Sequence, residues 1–232
     1  VFEKLWGKEY DLLPEKKRAE RVAGKKINEF AQPTRLSLKQ AIKKITDNPN
    51  FRKWFGKSKV VDESGEPLVV YHGSPAKLTE FSPTMIGMST DGGYYGRGFY
   101  FSEHRETANN YGKNIYLVYI SLKKPFIFDY SNEKTASATR ERARKIGVEL
   151  NMWGAVKYAD EFRNKAEKAG YDGVVVQEHR GSGKEIVAFH PTQIKSIYNV
   201  GTFDPTNPDI RFHVSAEEHT QFSMAPKFDP DK

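Results

Sequence analysis

Three short segments hold the residues best suited to chemistry. Tyr71-His72-Gly73-Ser74 ends an apolar run and puts an imidazole beside a glycine and a hydroxyl. Gly96-Arg97-Gly98-Phe99-Tyr100-Phe101-Ser102 sets a tyrosine between two phenylalanines, and Tyr111 follows eleven residues later, just ahead of Gly112. Gly183-Lys184-Glu185-Ile186-Val187-Ala188-Phe189 opens an apolar run with a carboxylate. A carboxylate supplies fixed negative charge, and an aromatic face suits a flat or cationic ring. Taken singly, each has a structural explanation: a packed histidine, a core tyrosine, a solvated glutamate. What sets them apart is their joint occurrence, in this order, each on a strand.

The elements that must position them follow from periodicity. Short apolar runs bounded by Gly-rich loops predict strands over 68–72, 98–102, 115–122, 125–129, 173–177 and 185–189. An earlier pair, 59–61 and 68–71, reads as two strands joined by Asp62-Glu63-Ser64-Gly65-Glu66-Pro67. Ser102 is placed to cap a short helix that ends near Gly112. Residues 152–169 predict a longer helix, with Ala155, Ala159, Phe162, Ala166 and Ala169 on one stripe and Gly170 as its stop. Residues 1–31 read as broken helices, interrupted by Pro14 and Gly24. A second N-terminal helix carries Leu38, Ala41, Ile42 and Ile45 on one face. Strands with helices inserted between them predict an α+β fold rather than a doubly wound sheet.

Composition narrows the classes. The chain has 232 residues, long enough to bury a core without staples. It has no cysteine, which excludes disulfides, thiolate zinc sites, iron–sulfur ligation and a cysteine nucleophile. No set of residues is spaced to ligate a metal. At 38% hydrophobic and 13% aromatic it is too apolar for a disordered chain. No apolar run reaches the roughly 20 residues of a membrane-spanning helix, and the charged N-terminus lacks the apolar region of a secretory signal. The chain begins with Val, as a piece of a longer polypeptide would. The net charge of +7 is uneven: residues 1–60 hold 16 basic and 7 acidic residues, the rest 21 and 23. The basic character therefore lies in an N-terminal arm, suited to an anionic partner or to a solvated helical face.

The ordered set His72-Gly73-Ser74, Gly96–Ser102 with Tyr111, and Glu185–Phe189 resembles the ADP-ribosyltransferases. It is most similar to their His-Tyr-Glu branch, which includes diphtheria-like toxins and poly(ADP-ribose) polymerases. The phrases Val69-Val70-Tyr71-His72-Gly73-Ser74, Ala169-Gly170-Tyr171-Asp172-Gly173-Val174-Val175-Val176 and the stretch 199–212 also resemble transferase modules in the large polyvalent proteins of phages and mobile elements. The resemblance covers roughly residues 58–212. It implies a split β-sheet core and NAD as substrate, with no metal. Catalytic roles would fall to Glu185, His72 and Tyr100, and NAD contacts to His72, Gly73, Ser74, Tyr100, Phe101 and Tyr111. Cleavage of the nicotinamide–ribose bond passes through an oxocarbenium-like state that a fixed carboxylate stabilises. In the family the matching Glu bonds the ribose 2′-OH and polarises the acceptor, and the matching His bonds the adenosine ribose. Tyr100 and Tyr111 would sandwich the nicotinamide. Gly73 would let its backbone approach the carboxamide, with the Ser74 hydroxyl on the same amide.

One departure bears on the acceptor. Arginine-modifying relatives carry a second carboxylate or Gln two residues before the catalytic Glu. Here that position is Gly183, and His72 stands where that branch has Arg, which argues against an arginine acceptor. The leading expectation is a mono-ADP-ribosyltransferase with a protein or nucleic-acid acceptor. Alternatives are an NAD glycohydrolase, a non-catalytic NAD or ADP-ribose binding module, an RNA 2′-phosphotransferase, and a structural or injected phage component. The expected division is a basic helical extension at 1–57, the transferase domain at 58–212 and an extended tail at 213–232. Expected action is in the cytoplasm, the host's if phage-delivered. Residues 75–99 read equally as a donor loop over NAD or a surface loop. Glu178, His179 and Arg180 are candidates for target contact.

Overall fold

The computed structural model describes residues 45–87, 93–177, 183–199 and 203–210. The basic stretch 1–44, with Leu38, Ala41 and Ile42, lies outside the described residues, as do Glu178, His179, Arg180 and the tail 213–232. The compact unit that holds the described residues begins at Ile45, ahead of the boundary at 58 drawn from the motifs.

Helix α1, Pro49–Phe55, accounts for that earlier start. Asn48 caps it, its side chain accepting from the Asn50 N–H, and Pro49 sits in its first turn. Its Phe51, Trp54 and Phe55 are buried with Ile45, Tyr119, Ile197 and Phe203. Phe51 stacks on Phe55 and meets Tyr119 and Phe203 edge-on. The Trp54 indole N–H donates to the Thr192 carbonyl at 3.1 Å. Of the pair of strands expected at 59–71, the first reduces to one bridge, Val61 with Pro67, and the second begins at Val70.

A seven-stranded sheet forms the centre, in the order β4-β5-β6-β2-β1-β3-β7. The strands are β1 Val70–Ser74, β2 Phe99–Ser102, β3 Asn114–Ile120, β4 Phe126–Phe128, β5 Gly173–Val176, β6 Glu185–Ala188 and β7 Ile194–Ser196. All neighbours run antiparallel except β4 and β5. The six main strands expected from sequence are present with slightly shifted ends. The strand β7 is an addition. Its Lys195 is 1% exposed, and the ammonium donates to the carbonyls of Asn207 at 2.5 Å and Asp209 at 3.1 Å. That bond set holds the segment 203–210, whose Ile210 N–H donates to the Thr79 carbonyl.

The sheet is not uniformly paired. β1 matches β3 over five positions and β2 matches β6 over four, but β1 and β2 share one pair, Tyr71 with Ser102. The sheet is therefore two half-sheets joined at one point, and residues 72–74 of β1 diverge from residues 99–101 of β2. One face packs Val70, Phe99, Phe101, Val118, Ile120, Val175 and Ile186 around Phe81. The opposite face packs Phe126, Phe128, Val174, Val176 and Val187 around Phe162 and Ala166.

Among the described residues, three further helices dress this framework. α2, Arg105–Asn109, lies against β1 and β2. The Ser102 hydroxyl accepts from the His104 N–H at 3.0 Å, and His104 takes the N-cap position. α3, Glu133–Lys145, was not expected from sequence; it buries Ala136, Thr139 and Ala143. It is docked by polar bonds. Thr139 Oγ1 accepts from the Asp129 N–H and donates to the Asp129 carbonyl, and Arg142 donates to the Ile127 carbonyl at 2.6 Å. α4, Ala159–Lys168, is shorter than the expected 152–169 and buries Phe162 and Ala166. Residues 151–154 form a turn instead, with Asn151 Oδ1 accepting from the N–H groups of Trp153 and Ala155.

Candidate active site

Register decides which side chains share a face. Tyr71, Ser102, Glu185, Val176 and Phe128 lie in one row across the sheet. Paired residues point the same way, so Glu185 shares its face with Tyr100, which pairs with Val187. Tyr100 sits against the cluster of Phe126, Phe128 and Phe162. Glu185, half-buried at the start of β6, thus lies at the open end of the same half-sheet.

Tyr100 has a second task. Its hydroxyl donates to the Gly96 carbonyl at 2.6 Å and accepts from the Tyr95 N–H at 3.1 Å. It therefore anchors the turn at 93–96. Gly96 has φ +104, and a Cβ there would come within 2.4 Å of the Phe162 ring, so only glycine lets this turn approach the helix. The Tyr95 ring packs on Phe128 at 5.1 Å between centroids. Burial and the nearby charge of Glu185 push the Tyr95 phenol above its ordinary value and keep it protonated. Burial, then Tyr95, push Tyr130 up to about 12, and its hydroxyl donates to the Gly154 carbonyl at 2.5 Å. Tyr95 thus lies near Glu185, a neighbour that nothing in its spacing along the sequence signals.

Across the opening lies β1. Gly73 is needed for a reason other than ligand approach alone: a Cβ there would stand 1.8 Å from the Ala108 carbonyl oxygen and 3.3 Å from Cβ of Tyr111. The end of α2 thus rests directly on the Gly73 backbone. Gly112, at φ +156, meets the Ser74 backbone as closely. These two contacts set Tyr111, 46% exposed, beside Gly73. Ser74 is buried, and its hydroxyl accepts from the Ala76 N–H at 3.2 Å.

His72 points to the opposite face, where its ring meets Phe81 at 4.9 Å and Phe101 at 5.4 Å. Its Nδ1 is 2.7 Å from the Tyr100 carbonyl oxygen. A carbonyl only accepts, so Nδ1 carries the proton and Nε2 keeps a lone pair in the neutral ring. Burial pulls His72 below its ordinary value of 6.5, with the carbonyl bond opposing. Phe101, expected among the NAD contacts, is 2% exposed in the core beneath His72. Its side chain supports the imidazole and offers no open surface.

His104 was also passed over. It lies two residues beyond Ser102 and is exposed. Gly183, two residues before Glu185, has φ +68, and a Cβ there would come within 2.6 Å of the His104 Nε2. The signal was the empty position itself, but only the β2–β6 register says what fills it. Among the described residues no group of His, Asp and Glu is placed to hold a metal ion, and no helix is long and apolar enough to cross a membrane.

These parts give one arrangement: an opening between half-sheets, with Glu185 and Tyr100 on one wall and Gly73 and Tyr111 on the other. No curated protein matches the chain. Among solved structures it is similar to an anti-CRISPR protein, at 15% identity over 54% of this chain and 90% of that one, with a TM-score of 0.29. The model of a family described as ADP-ribosyltransferase in polyvalent proteins matches residues 62–203, more than half of the chain and all of the site, and the chain belongs to that family.

Proposed function

We propose that the protein cleaves NAD at the nicotinamide–ribose bond and transfers a single ADP-ribose to a macromolecular acceptor. The observation that carries the reading is the opening between β1 and β2, with Glu185 and Tyr100 on one side and Gly73 and Tyr111 on the other. In it, Tyr111 and Tyr100 hold the flat cationic nicotinamide between their rings. Backbone groups of Gly73 take the carboxamide. Glu185 holds the ribose and opposes the charge that grows at C1′ as the bond opens. His72 supports assignment to the His-Tyr-Glu branch, in which its Nε2 lone pair accepts a ribose hydroxyl, and its bond to the Tyr100 carbonyl ties the two walls together.

The acceptor is a protein or a nucleic acid, met in the cytoplasm, the host's where a phage delivers the protein. The basic arm within 1–57, which brings the first 60 residues to a net +9, supports docking on an anionic partner.

The test is incubation of the purified chain with biotinylated NAD and a cell lysate, with Glu185→Gln alongside. Glu185-dependent labelling, lost on protease or on nuclease treatment, identifies the acceptor class. Release of nicotinamide without labelling reassigns the protein as an NAD glycohydrolase. No release at all sinks the reading.

A further inference from the structure

Near Glu185 stands a second chemical group. We infer that His104 is the base that takes the acceptor's proton during transfer; this rests on the function proposed above.

The geometry comes from the β2–β6 ladder. Ser102 opposes Glu185. One step outward, the Glu103 N–H donates to the Lys184 carbonyl at 2.9 Å, and the Lys184 N–H donates to the Glu103 carboxylate at 2.8 Å. The next opposed positions are His104 and Gly183. His104 is extended, at φ −103 and ψ 125, but it lies past the bend at Glu103, so its placement rests on the contact at Gly183. That contact is direct: the His104 ring lies where a Cβ of residue 183 would point. The His104 imidazole therefore lies over the position two residues before Glu185, within reach of a group held at that carboxylate.

His104 is also available. It is exposed, and although it occupies the N-cap position of α2, its side chain makes no capping bond. Its backbone is fixed by Ser102 Oγ while the imidazole stays outside the helix. The ring fills the place from which a carboxylate or amide two residues before Glu185 would reach the acceptor. A cation-holding group is thereby replaced by an imidazole. That favours acceptors with a proton to lose, hydroxyls above all, over a guanidinium.

The step balances as follows. The bond between C1′ and the nicotinamide nitrogen breaks, and its electron pair neutralises the ring, which leaves as nicotinamide. An acceptor hydroxyl oxygen forms the new bond to C1′. Its proton passes to a ring nitrogen of His104 and from there to water.

The experiment uses the full chain, NAD, and methanol as probe acceptor, with nicotinamide and methyl ADP-ribose separated by chromatography. His104→Ala is expected to lower the rate of both products about 100-fold, in the range of general-base loss, with KM for NAD nearly unchanged. Added imidazole should restore a several-fold part of that rate. His104→Phe keeps a ring over Gly183 and should be as impaired as alanine. Near wild-type turnover in His104→Ala, or full activity in His104→Phe, overturns the inference. If the wild type releases nicotinamide, Glu185→Gln does not and His104→Ala does, this inference alone fails. If the wild type and Glu185→Gln are equally inert, the functional reading fails and takes the inference with it.

Discussion

The Nδ1 of His72 lies 2.7 Å from the backbone oxygen of Tyr100, so the imidazole bonds β2 just where the ladder from β1 has stopped. One side chain thus spans the opening from the far face, while on the near face the end of α2 sets Tyr111 beside Gly73. It also fixes the tautomer of a half-buried ring against Phe81 and Phe101.

That burial has a pH consequence. The folded state holds His72 below 6.5, so the unfolded chain binds the proton more readily. Stability is therefore complete above about 6.5 and falls as pH drops through that value toward the lower folded one. His72→Gln should flatten this part of the curve. Melting temperatures of the two proteins between about pH 5 and 8, the usual plateau region, check it; parallel curves would count against it.

Glu185→Gln keeps the shape and removes the charge. The expected loss is about 10²–10³ in kcat, or about 3–4 kcal/mol of transition-state stabilisation. NAD binding should change little, because the charge it opposes develops only as the bond breaks. Single-turnover cleavage and equilibrium binding on the same variant separate the two.

The two tyrosines should respond differently to loss of the hydroxyl. Tyr111→Ala should weaken NAD binding by about 1–3 kcal/mol of stacking, and Tyr111→Phe should keep most of it. Tyr100→Phe keeps the ring but breaks the bonds to Gly96 and Tyr95, at about 1 kcal/mol each. It should lower the melting temperature and loosen the turn that brings Tyr95 to Glu185. Calorimetry and NAD titration of the three variants check both statements, and equal behaviour of the two Phe variants would contradict them.

Gly73→Ala places a methyl 1.8 Å from the Ala108 carbonyl oxygen. Backbone lies on both sides of that contact, so α2 must move and Tyr111 with it. The overpacking should destabilise by about 1–3 kcal/mol and weaken NAD binding as strongly as Tyr111→Ala. A folded variant that binds NAD normally would show that α2 does not set the Tyr111 position.

Strands were legible because their apolar runs are dense and bounded by glycine; Val174-Val175-Val176 and Ile186-Val187-Ala188 read plainly. α3 was not, because the face it buries is Ala136, Thr139 and Ala143, and small or polar residues leave no apolar period. β7 hid behind Lys195, a charge that periodicity assigns to solvent. α1 was legible only as a short aromatic segment, since its partners Tyr119 and Phe203 are remote in sequence. For the site, ordered motifs pointed to His72, Tyr100 and Glu185. They could not report that His72 and Glu185 occupy opposite faces, or that Phe101 is core. His104 and Tyr95 needed the register, which no local pattern encodes.

Lys195 sets where such a module can be cut from one polypeptide and spliced into another. The family match closes at residue 203, but the ammonium's acceptors are the carbonyls of Asn207 and Asp209, and Ile210 is buried beyond them. A recombination joint at 203 would strand a buried cation, an error of several kcal/mol. Exchange after Ile210 leaves it satisfied. Among shuffled genes, joints on the C-terminal side should therefore cluster past that residue, and a lysine at 195 should travel together with the seven residues that follow the match.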